Sequence, residues 1–309
     1  SSEAGFLEGP AYIAGLIGGQ AEWLSGALAL DPADALADAL APARAAAAAP
    51  AADRSRLLRT AKKRTALLAA LADLGGVWSL EQTTGALSDL SDIATDSALR
   101  ALVADANARG RLPDAAGDDG AITAIAMGKG GARELNYSSD IDIIFLFDES
   151  RYDPDDYLEV RSRLVRICQD ATKLLSSNTE DGYVFRVDLR LRPDPSSTPV
   201  CIAMETAERY YESLGRTWER AAFIKARAAS GDIAGGEAFL QRLTPFIWRR
   251  HLDFAAIGDA HDIRTRIRAH RGEGGAIDVP GHDMKLGRGG IREIEFFVQT
   301  RQLICGGRD

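Results

Sequence analysis

Two aspartates, Asp140 and Asp142, stand at the start of an apolar run that ends at Phe147. Side chains on a β-strand alternate between faces, so both carboxylates point to one side while Ile141 and Ile143 point into a core. Two neighbouring carboxylates repel each other, and Mg²⁺, which prefers carboxylate and phosphate oxygens, relieves that repulsion. The pattern predicts a Mg²⁺ site, although a strand that begins in a turn with two solvated carboxylates has the same spacing.

A glycine-rich turn over residues 128–131 precedes this strand and follows another apolar run, 121–127. Glycine lets backbone N–H groups approach an anion closely, so the turn is a candidate phosphate cradle. The run that continues from Ile144 to Phe147 is apolar on both faces, which predicts a central strand. The residues predicted to contact phosphate here are Gly128, Lys129, Gly131, Ser138 and Ser139.

A later stretch, 183–193, alternates in the same way and ends at a proline. Asp188, Arg190 and Arg192 share one face of the strand that this alternation predicts. Asp188 can complete a site for two metal ions, and the two arginines can clamp phosphate oxygens. An exposed edge strand with an internal ion pair is the alternative.

A glycine turn, an Asp-x-Asp and a single later aspartate resemble the polymerase-β-like nucleotidyltransferase superfamily. Longer strings, from about residue 55 to the end, are similar to the bifunctional glutamine synthetase adenylyltransferase/adenylyl-removing enzymes. These strings are MGKGGARELNYSSDIDIIFLFD, VFRVDLRLRPDPSSTPV, YYESLGRTWERAAFIKAR, FIWRRHLDFAAI and MKLGRGGIREIEFFVQ. The form ELNYSSDID resembles the N-terminal, adenylyl-removing half of that family. A second catalytic half is expected beyond Asp309, so the chain resembles a fragment.

The resemblance implies a nucleotidyltransferase in which Asp140, Asp142 and Asp188 are catalytic and hold two Mg²⁺ ions. It implies phosphorolysis, in which inorganic phosphate removes AMP from a tyrosine of glutamine synthetase and gives ADP and the active synthetase. Adenylylation of the same tyrosine from ATP is the alternative reaction. A non-catalytic module that binds glutamine synthetase or the PII signalling protein is the alternative of another class. The family usually has leucine at the position of Gly130, so this turn is expected to be less rigid here than in the family.

Cations also flank a second glycine-rich turn, 285–290, ahead of a helix predicted over 291–304. The free N–H groups and the dipole of a helix N-terminus attract anions. Lys285 and Arg288 are therefore predicted to bind inorganic phosphate or a nucleotide phosphate, with an ordinary helix start and solvated cations as the alternative. By resemblance, further candidates to line a nucleotide cleft are Glu219, Lys225 and Arg227.

The elements that position these groups are mainly helical. Apolar periodicity predicts helices over 54–74, 80–108, 157–178, 203–213, 217–227 and 260–271. Ser79, three residues before Gln82, predicts a capping box. The alanine-rich segment 33–52 is expected to be a thin helix or a mobile linker, and the basic run 62–64 is interpreted as a solvated face or a partner contact.

The predicted fold class is α+β and predominantly helical, and the resemblance implies a polymerase-β-like nucleotidyltransferase sheet inserted between helical segments. Three domains are expected. They are an N-terminal helical region (1–109), a nucleotidyltransferase core (110–200) and a helical domain that completes the cleft and is truncated at its C-terminus (201–309).

Composition narrows the function classes. The chain has 309 residues and a net charge of −8, which argues against a nucleic-acid partner. No apolar run approaches the ~18 residues of a membrane span, and the first residues lack the layout of a signal peptide. Cys168, Cys201 and Cys305 are few and far apart, which predicts reduced thiols and a cytoplasmic protein.

Overall fold

The computed structural model describes residues 9–113, 117–248, 281–285 and 287–306. The chain forms two compact units, which are described separately. The first comprises Ser1–Ala207 and Lys225–Ala238, and the second comprises Glu208–Ile224 and Phe239–Asp309. None of the helices in the described ranges is both long and apolar enough to cross a membrane.

Within residues 9–113, five helices precede the sheet. They are α1 (Gly9–Gly19), α2 (Ala21–Ala27), α3 (Pro32–Ala45), α4 (Ala51–Leu74) and α5 (Leu80–Ala108). The predicted capping box of α5 is confirmed. The Ser79 hydroxyl accepts from the Gln82 N–H, and the Gln82 side chain accepts from the Ser79 N–H at 2.8 Å.

The alanine-rich segment forms helix α3. Ala35, Ala39 and Ala43 recur every four residues and are buried, so one face of α3 consists of small side chains. Small side chains let α3 pack against α4 and α5, which explains how a segment with few large residues is held in place. Asp31 caps the helix by accepting from the Ala33 N–H at 2.9 Å.

A mixed five-stranded sheet follows these helices. Its strands are β1 (Ile122–Met127), β2 (Ile141–Phe147), β3 (Val187–Asp188), β4 (Cys201–Ala203) and β5 (Arg227–Gly231). Strand β1 lies antiparallel between β2 and β5, while β3 and β4 both pair parallel with the other edge of β2. Strand β2 is therefore central, as predicted, and the α+β fold class is confirmed.

Helical elements also connect successive strands at the centre of this sheet. The single turn α6 (Gly128–Gly131) joins β1 to β2, and α7 (Tyr157–Ser176) follows β2. Parallel pairing of β2 with β3 requires a crossover of this kind. Leu164 and Leu175 of α7 are fully buried in the core that also contains Phe145 and Phe147 of β2.

Two predicted elements end early. The strand predicted over 183–193 stops at Asp188, because the Arg190 N–H turns back to Asp188 Oδ1 at 2.8 Å instead of continuing the ladder. The helix predicted over 217–227 ends at Phe223, and Arg227 begins β5. The β5 sequence, RAASG, lacks the alternating bulky side chains that are typical of strands, so no strand could be predicted there.

The basic run on α4 is not a solvated face, so that interpretation was wrong. Lys63 forms an ion pair with Asp181 at 2.6 Å. The Arg64 guanidinium lies 5.1 Å from the ring centroid of Trp23. Both contacts join α4 to other segments of the first unit.

Arg59 of α4 is also buried, with 1% of its surface exposed. Its guanidinium donates to the carbonyls of Gly182 at 2.7 Å and Ser177 at 2.5 Å. Buried carbonyls without a donor destabilise a fold, so Arg59 satisfies the turn that leads into β3.

In the ranges that the structure describes, the later α-helices are α8 (Met204–Ser213), α9 (Thr217–Phe223), α10 (Ile233–Arg242), α11 (Thr244–Ile247) and α12 (Ile291–Cys305). The helix predicted over 291–304 is thus confirmed, and the one predicted over 260–271 lies outside the described residues. In the second unit, the buried ring of Tyr211 packs edge-on against Phe223, with ring centroids 4.9 Å apart, and in a tilted arrangement against Phe246, with centroids 5.3 Å apart.

Candidate carboxylate and phosphate site

The parallel register of β2 and β3 places Asp142 directly opposite Asp188. The same residue, Asp142, pairs with Met127 at the end of β1. Asp140 lies just before β2, and its side chain is 53% exposed, whereas that of Asp188 is 17% exposed. The structure therefore brings Asp142 and Asp188 together at one end of the sheet, with Asp140 beside them in sequence.

The glycine turn lies against the Asp142 carboxylate. Gly128 has φ +53°, and a Cβ added to it would lie only 2.9 Å from Asp142 Oδ2. Both the backbone conformation and the space therefore require glycine at this position. Lys129 follows on the exposed side of the turn.

Gly131 is held even more tightly. A Cβ at this position would lie 1.9 Å from the Lys225 carbonyl oxygen and 2.7 Å from that of Ala126. The backbone leading into β5 therefore touches the turn directly. Gly130 differs, since its added Cβ would meet nothing closer than the Ala126 Cβ at 3.8 Å.

Arg186 holds the carboxylate that lies outside the sheet. Its guanidinium bonds to Asp140 Oδ1, donates to the Ser138 carbonyl at 2.8 Å and donates to the Tyr183 hydroxyl at 2.8 Å. Arg186 was not among the predicted site residues. Its position two residues before Asp188 was the available signal, because alternation places both side chains on one face.

Arg190 and Arg192 have different partners. Arg190 Nη2 lies 2.5 Å from Asp188 Oδ2, and this guanidinium holds the pKa of Asp188 below its usual value. Arg192 donates to the carbonyls of Leu189 at 2.7 Å and Pro195 at 2.9 Å. Arg190 thus pairs with the carboxylate of Asp188, while Arg192 stabilises the loop that follows β3.

The donor chemistry of the three aspartates fits Mg²⁺, since all their donors are carboxylate oxygens and two of the residues are paired by strand register. In the described ranges, no three His, Cys, Asp or Glu side chains converge into a metal-binding group. Arg186 and Arg190 instead occupy oxygens of Asp140 and Asp188. A metal ion would therefore replace these arginines as the charge partner of the two aspartates.

A partly buried ion pair supports the glycine turn from behind. Arg227 Nη1 lies 2.8 Å from Asp92 Oδ2, and Arg227 Nη2 donates to the Gly130 carbonyl at 3.1 Å. Burial raises the pKa of Asp92, and Arg227 opposes that rise. Arg227 therefore contacts the back of the turn, and sequence analysis missed Asp92, which is one of many polar residues on a long helix.

Replacing Arg227 with methionine is expected to destabilise the chain by about 3 kcal/mol. This value is at the lower end for a broken buried ion pair, because the Arg227 side chain keeps 28% exposure. Urea unfolding followed by circular dichroism measures the difference. Arg56→Met is the matched control, since its ion pair with Asp53 is exposed and is worth less than about 1 kcal/mol. Equal losses in both variants would contradict the supporting role of Arg227.

The serines predicted to contact phosphate lie in a turn organised by Asn136. The Ser139 hydroxyl donates to Asn136 Oδ1 at 2.8 Å and accepts from the Asn136 N–H at 3.0 Å. The Ser138 N–H also donates to Asn136 Oδ1, at 3.3 Å. These bonds hold the chain that enters β2 from the glycine turn.

Lys285 and Arg288 lie in the second unit, ahead of α12. The Glu293 carboxylate accepts a hydrogen bond from the Gly289 N–H at 3.0 Å. A negatively charged side chain of the protein therefore already binds this turn. Lys285 uses its own N–H to bond Asp283 Oδ1 at 2.9 Å.

Two other candidates have partners of their own. Glu219, in the second unit, is 2% exposed and accepts from the Arg216 N–H at 2.7 Å. Burial raises the pKa of Glu219. Lys225, in the first unit, pairs with Glu134 at 2.8 Å. Their observed contacts cap a helix and anchor the segment after the glycine turn.

The fold and this site together define a class, an α+β protein with paired carboxylates and a glycine turn at one end of a mixed sheet. Comparison with known families gives the particular assignment. The chain matches the glutamate-ammonia ligase adenylyltransferase family over residues 12–242 and the PII-uridylyltransferase family over residues 261–309. It belongs to the glutamate-ammonia ligase adenylyltransferase family, whose members are nucleotidyltransferases.

Curated relatives carry the name bifunctional glutamine synthetase adenylyltransferase/adenylyl-removing enzyme. The relative from Bradyrhizobium sp. (strain BTAi1) is 54% identical over 261 residues, which are 83% of this chain and 26% of the relative. Those from Bradyrhizobium sp. (strain ORS 278) and Xanthobacter autotrophicus (strain Py2) are 50% and 48% identical over 310 residues, covering 98% and 99% of this chain. The chain spans 31% of each of these two longer proteins.

Proposed function

We propose that this chain is a nucleotidyl-transfer unit that removes AMP from an adenylylated tyrosine of glutamine synthetase by phosphorolysis. Its sheet would then be of the polymerase-β-like nucleotidyltransferase type. The observation that carries the proposal is the pairing of Asp142 with Asp188 beside the turn at Gly128. The names of the relatives supply the synthetase as the proposed substrate.

In the proposed reaction, an oxygen of inorganic phosphate attacks the adenylyl phosphorus. The bond from that phosphorus to the tyrosine oxygen breaks, the tyrosine oxygen takes up a proton, and ADP is the other product. This chemistry depends on in-line positioning and on neutralisation of phosphate charge. Two Mg²⁺ ions held by Asp140, Asp142 and Asp188 would supply that neutralisation.

The chain's own groups would position the phosphates. Gly128 of the glycine turn lies against Asp142, and Lys129 beside it is exposed, so backbone N–H groups of the turn and the Lys129 side chain are proposed to contact phosphate. Arg190, 86% exposed, can exchange Asp188 for a phosphate oxygen once that carboxylate binds metal. Contacts of Ser138, Ser139, Arg192, Lys285 and Arg288 with phosphate are further parts of the proposal.

A PII-type signalling protein is the proposed regulatory partner. Its support is the match of residues 261–309 to the PII-uridylyltransferase family. We also propose a cytoplasmic location, which agrees with the presence of three free cysteines.

The direct test is to incubate the chain with adenylylated glutamine synthetase, Mg²⁺ and inorganic phosphate, and to measure ADP. ADP that appears only when phosphate is present is the expected result. A parallel reaction with unmodified synthetase and ATP measures pyrophosphate release, the sign of the opposite activity in the relatives' name. Pyrophosphate without ADP would replace phosphorolysis by adenylylation, and neither product from a folded chain would contradict a catalytic role for this unit alone.

A further inference from the structure

Arg133 has a backbone conformation that disfavours a side chain. Its φ is +60°, in the left-handed region where a Cβ crowds the following carbonyl oxygen. The Arg133 N–H donates to the Gly130 carbonyl at 3.2 Å, and the next N–H, that of Glu134, donates to the Lys129 carbonyl at 2.8 Å. These two bonds form the Schellman motif that ends many helices, and its left-handed position is usually glycine. The chain therefore has a strained arginine directly after the turn α6.

The Arg133 side chain reaches two carboxylates on α5. Its Nη2 lies 2.6 Å from Asp89 Oδ1, and its Nη1 lies 3.8 Å from Asp92 Oδ2. Asp92, whose side chain is 16% exposed, is the same carboxylate that pairs with Arg227. Burial raises the pKa of Asp92, and both arginines oppose that rise. A glycine at position 133 would relax the backbone but would lose both of these ion pairs.

The two arginines also converge on one backbone atom of the glycine turn. The Gly130 carbonyl oxygen accepts from the Arg133 N–H at 3.2 Å and from Arg227 Nη2 at 3.1 Å. Arg133 reaches this carbonyl through its backbone and α5 through its side chain, whereas Arg227 reaches the carbonyl from β5. The turn is thus held by two other elements, and Asp92 pairs with the side chains of both arginines.

We infer that Arg133 is a positioning residue for the glycine turn. Through the Gly130 carbonyl and Asp92, it would keep Gly128 against the Asp142 carboxylate. Its effect on the turn follows from these contacts alone, whereas its effect on catalysis rests on the proposed function. The alternative is an arginine that forms only exposed ion pairs, which add little to stability and have no part in activity.

The test compares Arg133→Gly with Arg133→Ala in the 309-residue chain. Both variants remove the ion pairs, but only glycine relieves the left-handed conformation. The glycine variant is therefore expected to unfold about 2 °C or more above the alanine variant. Both are expected to lower kcat for ADP formation about tenfold, with little change in KM for the adenylylated synthetase, because the turn loses its alignment with Asp142. Arg133→Lys, which keeps a cation, is expected to recover part of the lost kcat.

Amide hydrogen exchange measures the turn without any reaction. Exchange over residues 128–132 is expected to be at least about fivefold faster in both Arg133→Gly and Arg133→Ala than in wild type. Arg56→Met is the matched control, since its ion pair with Asp53 is exposed and lies on α4. This control is expected to exchange like wild type over the same residues.

The outcomes separate this inference from the proposed function. Wild-type exchange over residues 128–132 in both Arg133 variants would overturn the inference. It would also be overturned if only the alanine variant lost activity, in step with its lower unfolding temperature. Faster exchange in both variants, together with a wild-type chain that forms no ADP, would support the positioning role and count against the proposed reaction alone.

Discussion

Asp142→Asn is expected to lower ADP formation from adenylylated glutamine synthetase by at least about 100-fold, with little change in folding. Asp142 is opposite Asp188 in the register of β2 and β3, and its carboxylate lies against Gly128, so it is the acidic group that the strands position most directly. Asparagine has nearly the same shape but no negative charge, so it would fit the strand and fail to balance a divalent cation.

The measurement is initial ADP release at saturating phosphate, with circular dichroism to confirm folding. Asp170→Asn on α7 is the matched control. The Asp170 carboxylate is half exposed, and its ion pair with Arg166 is long, at 3.8 Å, and lies on the surface. The control is expected to keep wild-type activity. Comparable ADP release by Asp142→Asn and Asp170→Asn would remove Asp142 from the catalytic assignment.

Gly131→Ala is expected to destabilise the chain by about 3 kcal/mol or more and to abolish activity. The added methyl group would meet two backbone carbonyls, those of Lys225 at 1.9 Å and Ala126 at 2.7 Å. Backbone atoms cannot move aside as flexible side chains do. The turn would have to separate from β5, and with it the Asp142 carboxylate would lose its position.

Gly130→Ala provides the control one residue away. Its methyl group would lie 3.8 Å from the Ala126 Cβ, which is an ordinary contact. Alanine also loses less conformational entropy than glycine in a helical turn, so stability is expected to stay the same or rise by up to about 1 kcal/mol. Urea unfolding of both variants tests the contrast, and a larger loss for Gly130→Ala would show that the turn is packed differently.

Local signals were sufficient for the long helices and the central strand. Helix α5 has both its periodicity and its capping pair in the sequence, and β2 has a continuous apolar run. The sequence allowed us to predict that Asp142 and Asp188 share a site, but not that they are opposite each other on neighbouring strands. That register depends on how α7 returns the chain to the sheet.

The residues that support the glycine turn could not be predicted from local sequence patterns. Asp92 and Arg227 are 135 residues apart, and each has an unremarkable sequence environment. Lys62 lies in a basic run whose three members contact three different groups, whereas the run alone suggested a solvated face or a partner contact. Such roles are set by tertiary packing, which overrides local preference.

The long stretch of sequence between the glycine turn and β5 also has a consequence for folding during translation. Strand β5 leaves the ribosome about 100 residues after the glycine turn, which is roughly 5–20 s at ordinary rates of synthesis. During that interval β1 has β2 on one edge but nothing on the edge that β5 later covers. All six residues of β1 are buried in the finished fold, so the nascent chain exposes an apolar strand edge that other chains could pair with. Slow elongation between residues 128 and 227 is therefore expected to increase aggregation during translation.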